Sequence, residues 1–92
     1  MKIRYTRSGA AELSAILAHI EQHSPRGARK VHARIQAITE LLRDRPYAGQ
    51  VTSKRPLRRM IATPYPYLIF YEAADDEIII HGIRHAARRP LL

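Results

Sequence analysis

The sequence has 92 residues, with sixteen Lys or Arg against eight Asp or Glu and a formal net charge of +8. This length predicts one domain, residues 1–92, built around a single core. The lack of cysteine excludes a disulfide framework, a thiolate metal site and a cysteine nucleophile, and without an apolar run of about 18 residues or a signal-peptide pattern we expect a cytoplasmic protein that does not span a membrane.

The cationic excess is concentrated in the middle of the chain. Residues 26–59 contain ten Lys or Arg and two acidic residues, and this difference of eight equals the whole net charge. Such a field attracts nucleic acid or an acidic protein partner without sequence preference. Cationic side chains that only keep a helix face in water would give the same number of Lys and Arg residues. The charge alone therefore does not identify a partner.

A short strand and two helices are predicted first. Residues 2–6 alternate polar and apolar side chains, which is typical of a strand at or near a sheet edge. Apolar residues then recur at helical spacing over 9–23, and Glu12 is expected in the first turn, where the helix dipole favours a carboxylate. Ser24 and Pro25 cap and begin a second helix that ends before Pro46. The short connection predicts an antiparallel helical hairpin.

The second half of the chain predicts a basic loop and three strands. Residues 47–56 lack a regular period and are expected to form the loop. Strands follow over 57–62, 67–72 and 78–84, separated by a proline-rich turn and an acidic turn, which most simply gives an antiparallel meander. The fold class is therefore α+β, in the order β-α-α-β-β-β. We expect a small antiparallel sheet with the helical hairpin on one face and the other face partly open.

Several segments in this order carry a family resemblance. They are the Ala-Ala-Glu-Leu-Ser-Ala-Ile helix, the helix end Leu-Leu-Arg-Asp-Arg-Pro-Tyr-Ala-Gly, the Leu-Arg-Arg strand, the Pro-Tyr-Pro-Tyr-Leu-Ile-Phe-Tyr strand and the closing Ile-Arg-His-Ala-Ala-Arg-Arg-Pro. The set resembles the ParE/RelE superfamily of type II toxin-antitoxin toxins over roughly residues 3–90. It is most similar to the ParE branch.

The resemblance implies one of two activities. RelE-like members cleave messenger RNA on the ribosome, with basic side chains around the phosphate and often a terminal Tyr or His for proton transfer. In this chain Met60 and Tyr67 stand at positions where those nucleases carry cations, and only Arg58 and Arg88 match basic positions. An endoribonuclease that uses His85, Arg58 and Arg88 is thus the alternative reading.

ParE-like members poison DNA gyrase and are neutralised by a cognate antitoxin, so resemblance to this branch implies a binding protein without catalytic residues or a cofactor. Its expected partners are an antitoxin with an acidic segment and DNA gyrase, with DNA as a further contact. The residues expected to contact the target or the antitoxin are Arg58, Arg59, Tyr67, Arg84, His85 and Arg88.

Other features favour plainer roles. His19 and His23 share a helix face, but spacing suggests no third ligand, so no metal site is predicted. His81 alternates with isoleucines and is expected at the edge of the core. The tyrosines at 65, 67 and 71 are expected to pack against the helices or a neighbouring strand, although aromatic side chains can also stack on bases. A general nucleic-acid-binding module is a third hypothesis, which the charge suits but no readout motif supports.

Overall fold

The computed structural model describes residues 1–87, and its elements follow the predicted order with one short strand added. The elements are β1 (Lys2–Tyr5), α1 (Arg7–His23), α2 (Pro25–Asp44), β2 (Gln50–Val51), β3 (Arg58–Ile61), β4 (Tyr67–Ala73) and β5 (Glu77–His85). The added strand β2 lies in the segment predicted as a loop and pairs antiparallel with β3. Across residues 1–87, neither helix has the length and apolar character needed to cross a membrane.

Side-chain caps set the start of both helices. The Thr6 hydroxyl accepts a hydrogen bond from the backbone N–H of Gly9 at 3.0 Å, so α1 begins two residues earlier than predicted. Glu12 therefore lies beyond the first turn and does not have the dipole role expected of it. Ser24 ends α1 and caps α2, because its hydroxyl accepts from the N–H of Gly27 at 2.9 Å. The predicted helical hairpin is confirmed.

The sheet is mixed, with strand order β1-β5-β4-β3-β2. The predicted meander is confirmed, since β3, β4 and β5 pair antiparallel in sequence. The sheet as a whole is not antiparallel, because β1 lies at one edge and runs parallel to β5, with Lys2 opposite Glu77 and Tyr5 opposite Ile80. The long connection from β1 to β5, which contains both helices and strands β2 to β4, allows this parallel pairing, which a tight hairpin could not make.

The core lies between α2 and one face of the sheet. Val31, Ile35, Ile38 and Leu42 of α2 are buried against the central strands. Full burial of one such side chain stabilises the fold by about 1.5–3 kcal/mol. Helix α1 contributes less, because its apolar residues are only partly buried and Gly9 is its one buried residue among those described.

The other face of the sheet has no helical layer among residues 1–87, as expected. Phe70 of β4 is fully buried, and polar side chains pair between neighbouring strands. Arg4 donates to Glu77 through two nitrogens at 2.9 and 3.2 Å, and this hydrogen bond lowers the pKa of the Glu77 carboxyl. His81 lies 3.0 Å from Glu72 at a bulge in β5 and is partly buried, so its side chain pairs with a carboxylate, and its place at the edge of the core stays a prediction.

Candidate functional site: the two ends of the sheet

Tyr67 and His85 form one candidate surface, where β4 begins and β5 ends. They lie directly opposite each other in the strand register. Their rings meet edge to face, with centroids 5.4 Å apart. The Nδ1 atom of His85 accepts a hydrogen bond from the backbone N–H of Ala87 at 3.1 Å. A neutral His85 therefore carries its proton on Nε2, where it can donate to a ligand.

Arg84 belongs to the same end of the sheet but is engaged by α1. Its Nε atom lies 3.0 Å from a carboxylate oxygen of Glu12, an ion pair in which the N–H is not directed at that oxygen. The other Glu12 oxygen accepts from the backbone N–H of Ile83 at 3.0 Å. Because both side chains are about one third exposed, the ion pair itself contributes little, about 0–1 kcal/mol. Glu12 thus links α1 to the end of β5 and offsets the Arg84 charge.

Arg58 lies toward the opposite end of the sheet, and its guanidinium supports the connection after α2. One of its nitrogens donates to the backbone oxygens of Gly49 at 2.9 Å and Tyr47 at 3.3 Å. The same guanidinium lies 5.0 Å from the centre of the Tyr47 ring, a cation–π contact. Arg58 therefore has a structural role in holding residues 47–49.

Tyr71 holds the same connection from inside the core. Its hydroxyl accepts from the backbone N–H of Gly49 at 2.8 Å and donates to the backbone oxygen of Pro46 at 2.9 Å. The ring is fully buried, and burial raises the pKa of the Tyr71 phenol despite the opposing hydrogen bond from Gly49. The predicted packing of Tyr71 is confirmed, and the ring is not available for stacking.

The predicted site residues therefore do not form one cluster. In the strand register Arg58 faces Tyr71 and His85 faces Tyr67. Tyr67 and Tyr71 are four residues apart on β4, which corresponds to about 13 Å. Arg59, the next residue of β3, donates a hydrogen bond from its Nε atom to the Gln50 side chain at 3.2 Å. Arg88, the remaining residue of the predicted site, lies outside the described residues.

Met60 and Tyr67, the two positions at which a RelE-like nuclease carries cations, both pack against the core. Among residues 1–87 no three His, Cys, Asp or Glu side chains are grouped to bind a metal ion. His19 and His23 make an edge-to-face ring contact, with centroids 5.5 Å apart. Nothing in the described part of the chain completes a metal site around them.

Sequence reasoning missed Glu12 and Tyr47 as site-forming residues. A carboxylate on an amphipathic helix is usually predicted to face solvent. The one sign in the sequence that Glu12 could contact the sheet is its position directly before Leu13, at the border of the apolar stripe. Tyr47 lies in an aperiodic segment, where spacing carries no information about burial. Its exposure and its contact with Arg58 are visible only in the folded chain.

A broad groove separates β1 from α2. It has a volume of about 750 Å³ and is lined by side chains from both elements, together with Leu13 of α1. Ile3 and Tyr5 contribute apolar surface and Lys2 contributes positive charge, while Arg43 is ion-paired at 3.4 Å with Glu40, which also lines the groove. The groove runs beside an edge strand, so it can accept an amphipathic or extended segment of another protein.

Comparison with known proteins places this geometry in a family. Residues 3–90 match the model of the ParE toxin of type II toxin-antitoxin systems, parDE. Toxin RelE2 of Caulobacter vibrioides is 34% identical over 87 residues, which is 95% of this chain and 97% of that protein. Y4kP of Sinorhizobium fredii, named as a candidate toxin, is 31% identical over 92% of this chain and 88% of its own length.

A solved structure agrees with both the fold and the family. A chain of the chromosomal ParDE toxin-antitoxin system from P. aeruginosa matches with a TM-score of 0.77 and 25% identity, covering 92% of this chain and 95% of that one. The match includes the mixed sheet and the helical hairpin described above. With the family model spanning nearly the whole sequence, the chain belongs to the ParE toxin family of type II toxin-antitoxin systems.

Proposed function

We propose that this toxin inhibits DNA gyrase by binding it, and that it does so without turning over a substrate. The observation that carries the proposal is the separation of Arg58 from His85. Cleavage of RNA requires a base and several cations around one phosphate. Here Arg58 lies about 13 Å along the strands from His85 and donates to two backbone oxygens, and Tyr67 stands beside His85 in place of a cation.

The Tyr67 and His85 end of the sheet is the surface that we assign to gyrase. An aromatic ring and an imidazole N–H side by side combine apolar contact area with a hydrogen-bond donor, which is typical of residues that dominate protein interfaces. Arg84 lies next to them, and its charge is held by Glu12. A carboxylate or phosphate of the target would compete with Glu12 for this guanidinium.

We assign the antitoxin to the groove between β1 and α2 and to the adjoining hairpin. Apolar side chains of an antitoxin segment would contact Ile3, Tyr5 and Leu13. Its acidic side chains would face Lys2 and would compete with Glu40 for Arg43. The net charge of +8 favours an acidic partner. Such a segment would fold as it binds, which allows it to cover a large area of toxin.

Purified toxin tests the proposal directly. With gyrase, ATP and relaxed plasmid, we expect loss of supercoiling and accumulation of cleaved plasmid after denaturation. Antitoxin added first should prevent both effects. Active ribosomes carrying a messenger RNA serve as the parallel reaction, in which we expect intact RNA. RNA cleavage together with unaffected gyrase would overturn the gyrase assignment and leave the family membership intact.

The ribonuclease alternative has one observation in its favour, the fixed ring of His85. A neutral imidazole held through Nδ1 has the geometry of a residue that exchanges protons with a substrate through Nε2. This reading predicts that His85→Ala reduces RNA cleavage by roughly 100-fold or more. The gyrase proposal predicts instead that His85→Gln, which keeps a side-chain N–H donor, retains most of the inhibition lost in His85→Ala.

A further inference from the structure

The segment between α2 and β3 exposes an aromatic residue at the end of the sheet opposite His85. Tyr47 is 67% exposed and Val51 is 46% exposed. With Pro56 and Leu57 they line a cleft of about 220 Å³, and Arg55 and Arg58 line it as well. Large exposed apolar side chains around a cleft, beside cations, mark a binding surface more often than a structural one.

The Tyr47 ring is exposed, yet the backbone beneath it is firmly held. Arg58 donates to the carbonyl oxygens of Tyr47 and Gly49. From the core, the Tyr71 hydroxyl contacts the backbone of Pro46 and Gly49. A ring presented from an anchored backbone loses little conformational entropy when a ligand covers it, so a flat ligand can stack on it at small cost.

The charges around the cleft favour a polyanion. Five cationic residues lie between positions 45 and 59, in this segment and at the start of β3, and Asp44 is the one acidic residue between positions 44 and 59. The cationic residues are Arg45, Lys54, Arg55, Arg58 and Arg59. On the β4 side the cleft ends at Ala73, which is followed by the acidic turn of Asp75 and Asp76. A polyanion is therefore directed along the β2 side, toward Lys54 and away from the acidic turn.

We propose that this surface, which we call the Tyr47 platform (residues 45–59), binds a single-stranded polynucleotide. One base stacks against Tyr47 in the cleft, and flanking phosphates contact Arg55 and Lys54. Arg58 already covers part of the ring, so the base completes an arginine–tyrosine–base arrangement. Binding of this kind needs no base-specific readout, which agrees with the absence of a readout motif in the sequence.

The platform differs from a surface for an acidic peptide in one measurable respect. Both ligands would use Arg55 and Lys54, but only a nucleobase offers a flat ring to Tyr47. The proposal is also independent of the choice of gyrase as target, since it concerns the other end of the sheet and a different ligand.

Fluorescence anisotropy with a labelled twelve-residue oligothymidylate tests the platform in the folded, purified chain. We expect salt-dependent binding, weakened about 5-fold to 150-fold by Tyr47→Ala and retained by Tyr47→Phe, since stacking of one base is worth about 1–3 kcal/mol. Because Tyr47 is exposed, Tyr47→Ala should keep the circular dichroism spectrum of the parent. Oligouridylate in parallel shows whether DNA or RNA binds more tightly, and tighter binding of either supports the proposal.

Matched variants separate stacking from general attraction. Lys54→Gln should weaken binding. It should also reduce the slope of log K against the logarithm of the salt concentration by about 0.7, the value for one lost phosphate contact on a single strand. Arg29→Gln removes the same charge from an exposed position on α2 outside the platform and should change binding less than twofold. Polyglutamate serves as the peptide-like polyanion. The proposal is overturned if Tyr47→Ala binds the oligonucleotide as tightly as the parent does. It is also overturned if Tyr47→Ala weakens the binding of polyglutamate as much as that of the oligonucleotide, or if Lys54→Gln and Arg29→Gln change oligonucleotide binding equally.

Discussion

The hydroxyl of Tyr71 accepts a hydrogen bond of 2.8 Å from the backbone N–H of Gly49, twenty-two residues earlier in the chain. This contact passes through the core, because the Tyr71 ring has no exposed surface. It joins the central strand β4 to the connection that follows α2. A side chain at position 49 would collide with it, since an added Cβ would lie 2.5 Å from the Tyr71 oxygen. The closest approach of sheet and connection therefore requires glycine at this point.

Tyr71→Phe should destabilise the fold without changing its shape. The substitution leaves the buried N–H of Gly49 and the carbonyl of Pro46 without their partner, which costs about 1–3 kcal/mol. Urea denaturation measures the change in the free energy of unfolding. Tyr47→Phe is the control, because it removes a hydroxyl from an exposed ring and should stay within about 0.5 kcal/mol of the parent. Equal stability of the two variants would contradict the contact.

Gly9→Ala should be destabilising although it lies inside a helix. Alanine is favoured over glycine there by up to about 1 kcal/mol, but an added Cβ would overlap the carbonyl oxygen of Ile80 and lie 3.2 Å from its carbonyl carbon. Forcing α1 away from β5 costs about 1–3 kcal/mol. Thermal unfolding compares this variant with Ser8→Ala, an exposed neighbour in the same helix. A raised melting temperature for Gly9→Ala would show that the helix and strand are further apart than described.

The two roles of Glu12 can be separated by paired substitutions. Glu12→Gln keeps an oxygen acceptor for the N–H of Ile83 but loses the charge opposite Arg84. Glu12→Ala loses both. We expect Glu12→Gln to cost less than about 1 kcal/mol and Glu12→Ala about 1–3 kcal/mol, because only the latter leaves the backbone group of Ile83 unpaired. If the two variants unfold at the same urea concentration, the hydrogen bond to Ile83 contributes nothing.

The free energy of unfolding should fall at alkaline pH because the partly buried Tyr5 phenol holds its proton more tightly than it does in the unfolded chain. Burial raises the pKa of the Tyr5 phenol above its ordinary value. The folded state therefore keeps a proton that the unfolded chain releases at about pH 10, so the stabilisation is complete below that pH and is lost as pH rises through the folded-state pKa. Tyr5→Phe should lose less stability than the parent between pH 9 and about pH 11 in urea titrations. Parallel curves for the two proteins would contradict this assignment.

Local patterns predicted most of the fold, and long-range pairing accounts for the rest. Helical periodicity and the Ser24-Pro25 pair predicted both helices, and runs of β-branched and aromatic residues on either side of an acidic turn predicted β4 and β5. The parallel pairing of β1 with β5 joins residues at the two ends of the sequence, and no local signal encodes it. The two-residue strand β2 is too short to show a period.

The candidate site was predictable only in part, for a similar reason. Tyr67 was singled out because it stands where a RelE-like nuclease carries a cation, and His85 as a candidate for proton transfer, and the register does bring them together. Arg58 was singled out because it matches a basic position of the RelE-like pattern, but its role depends on the carbonyl oxygens it meets, which are nine and eleven residues away in sequence. Residue type predicts what a side chain can bind, whereas the path of the backbone decides what it does bind.

The pairing of β1 with β5 determines when a newly synthesised chain can fold. A ribosome releases β1 and α1 first, but β1 finds its hydrogen-bonding partner only after Glu77 to Ile80 have been made. The surface that Gly9 and Glu12 of α1 contact is also in β5. A nascent chain that ends before β5 therefore lacks the strand against which β1 and α1 pack. Strand β1 and helix α1 can take their places in the folded toxin only after β5 has been made and is free to pair with them.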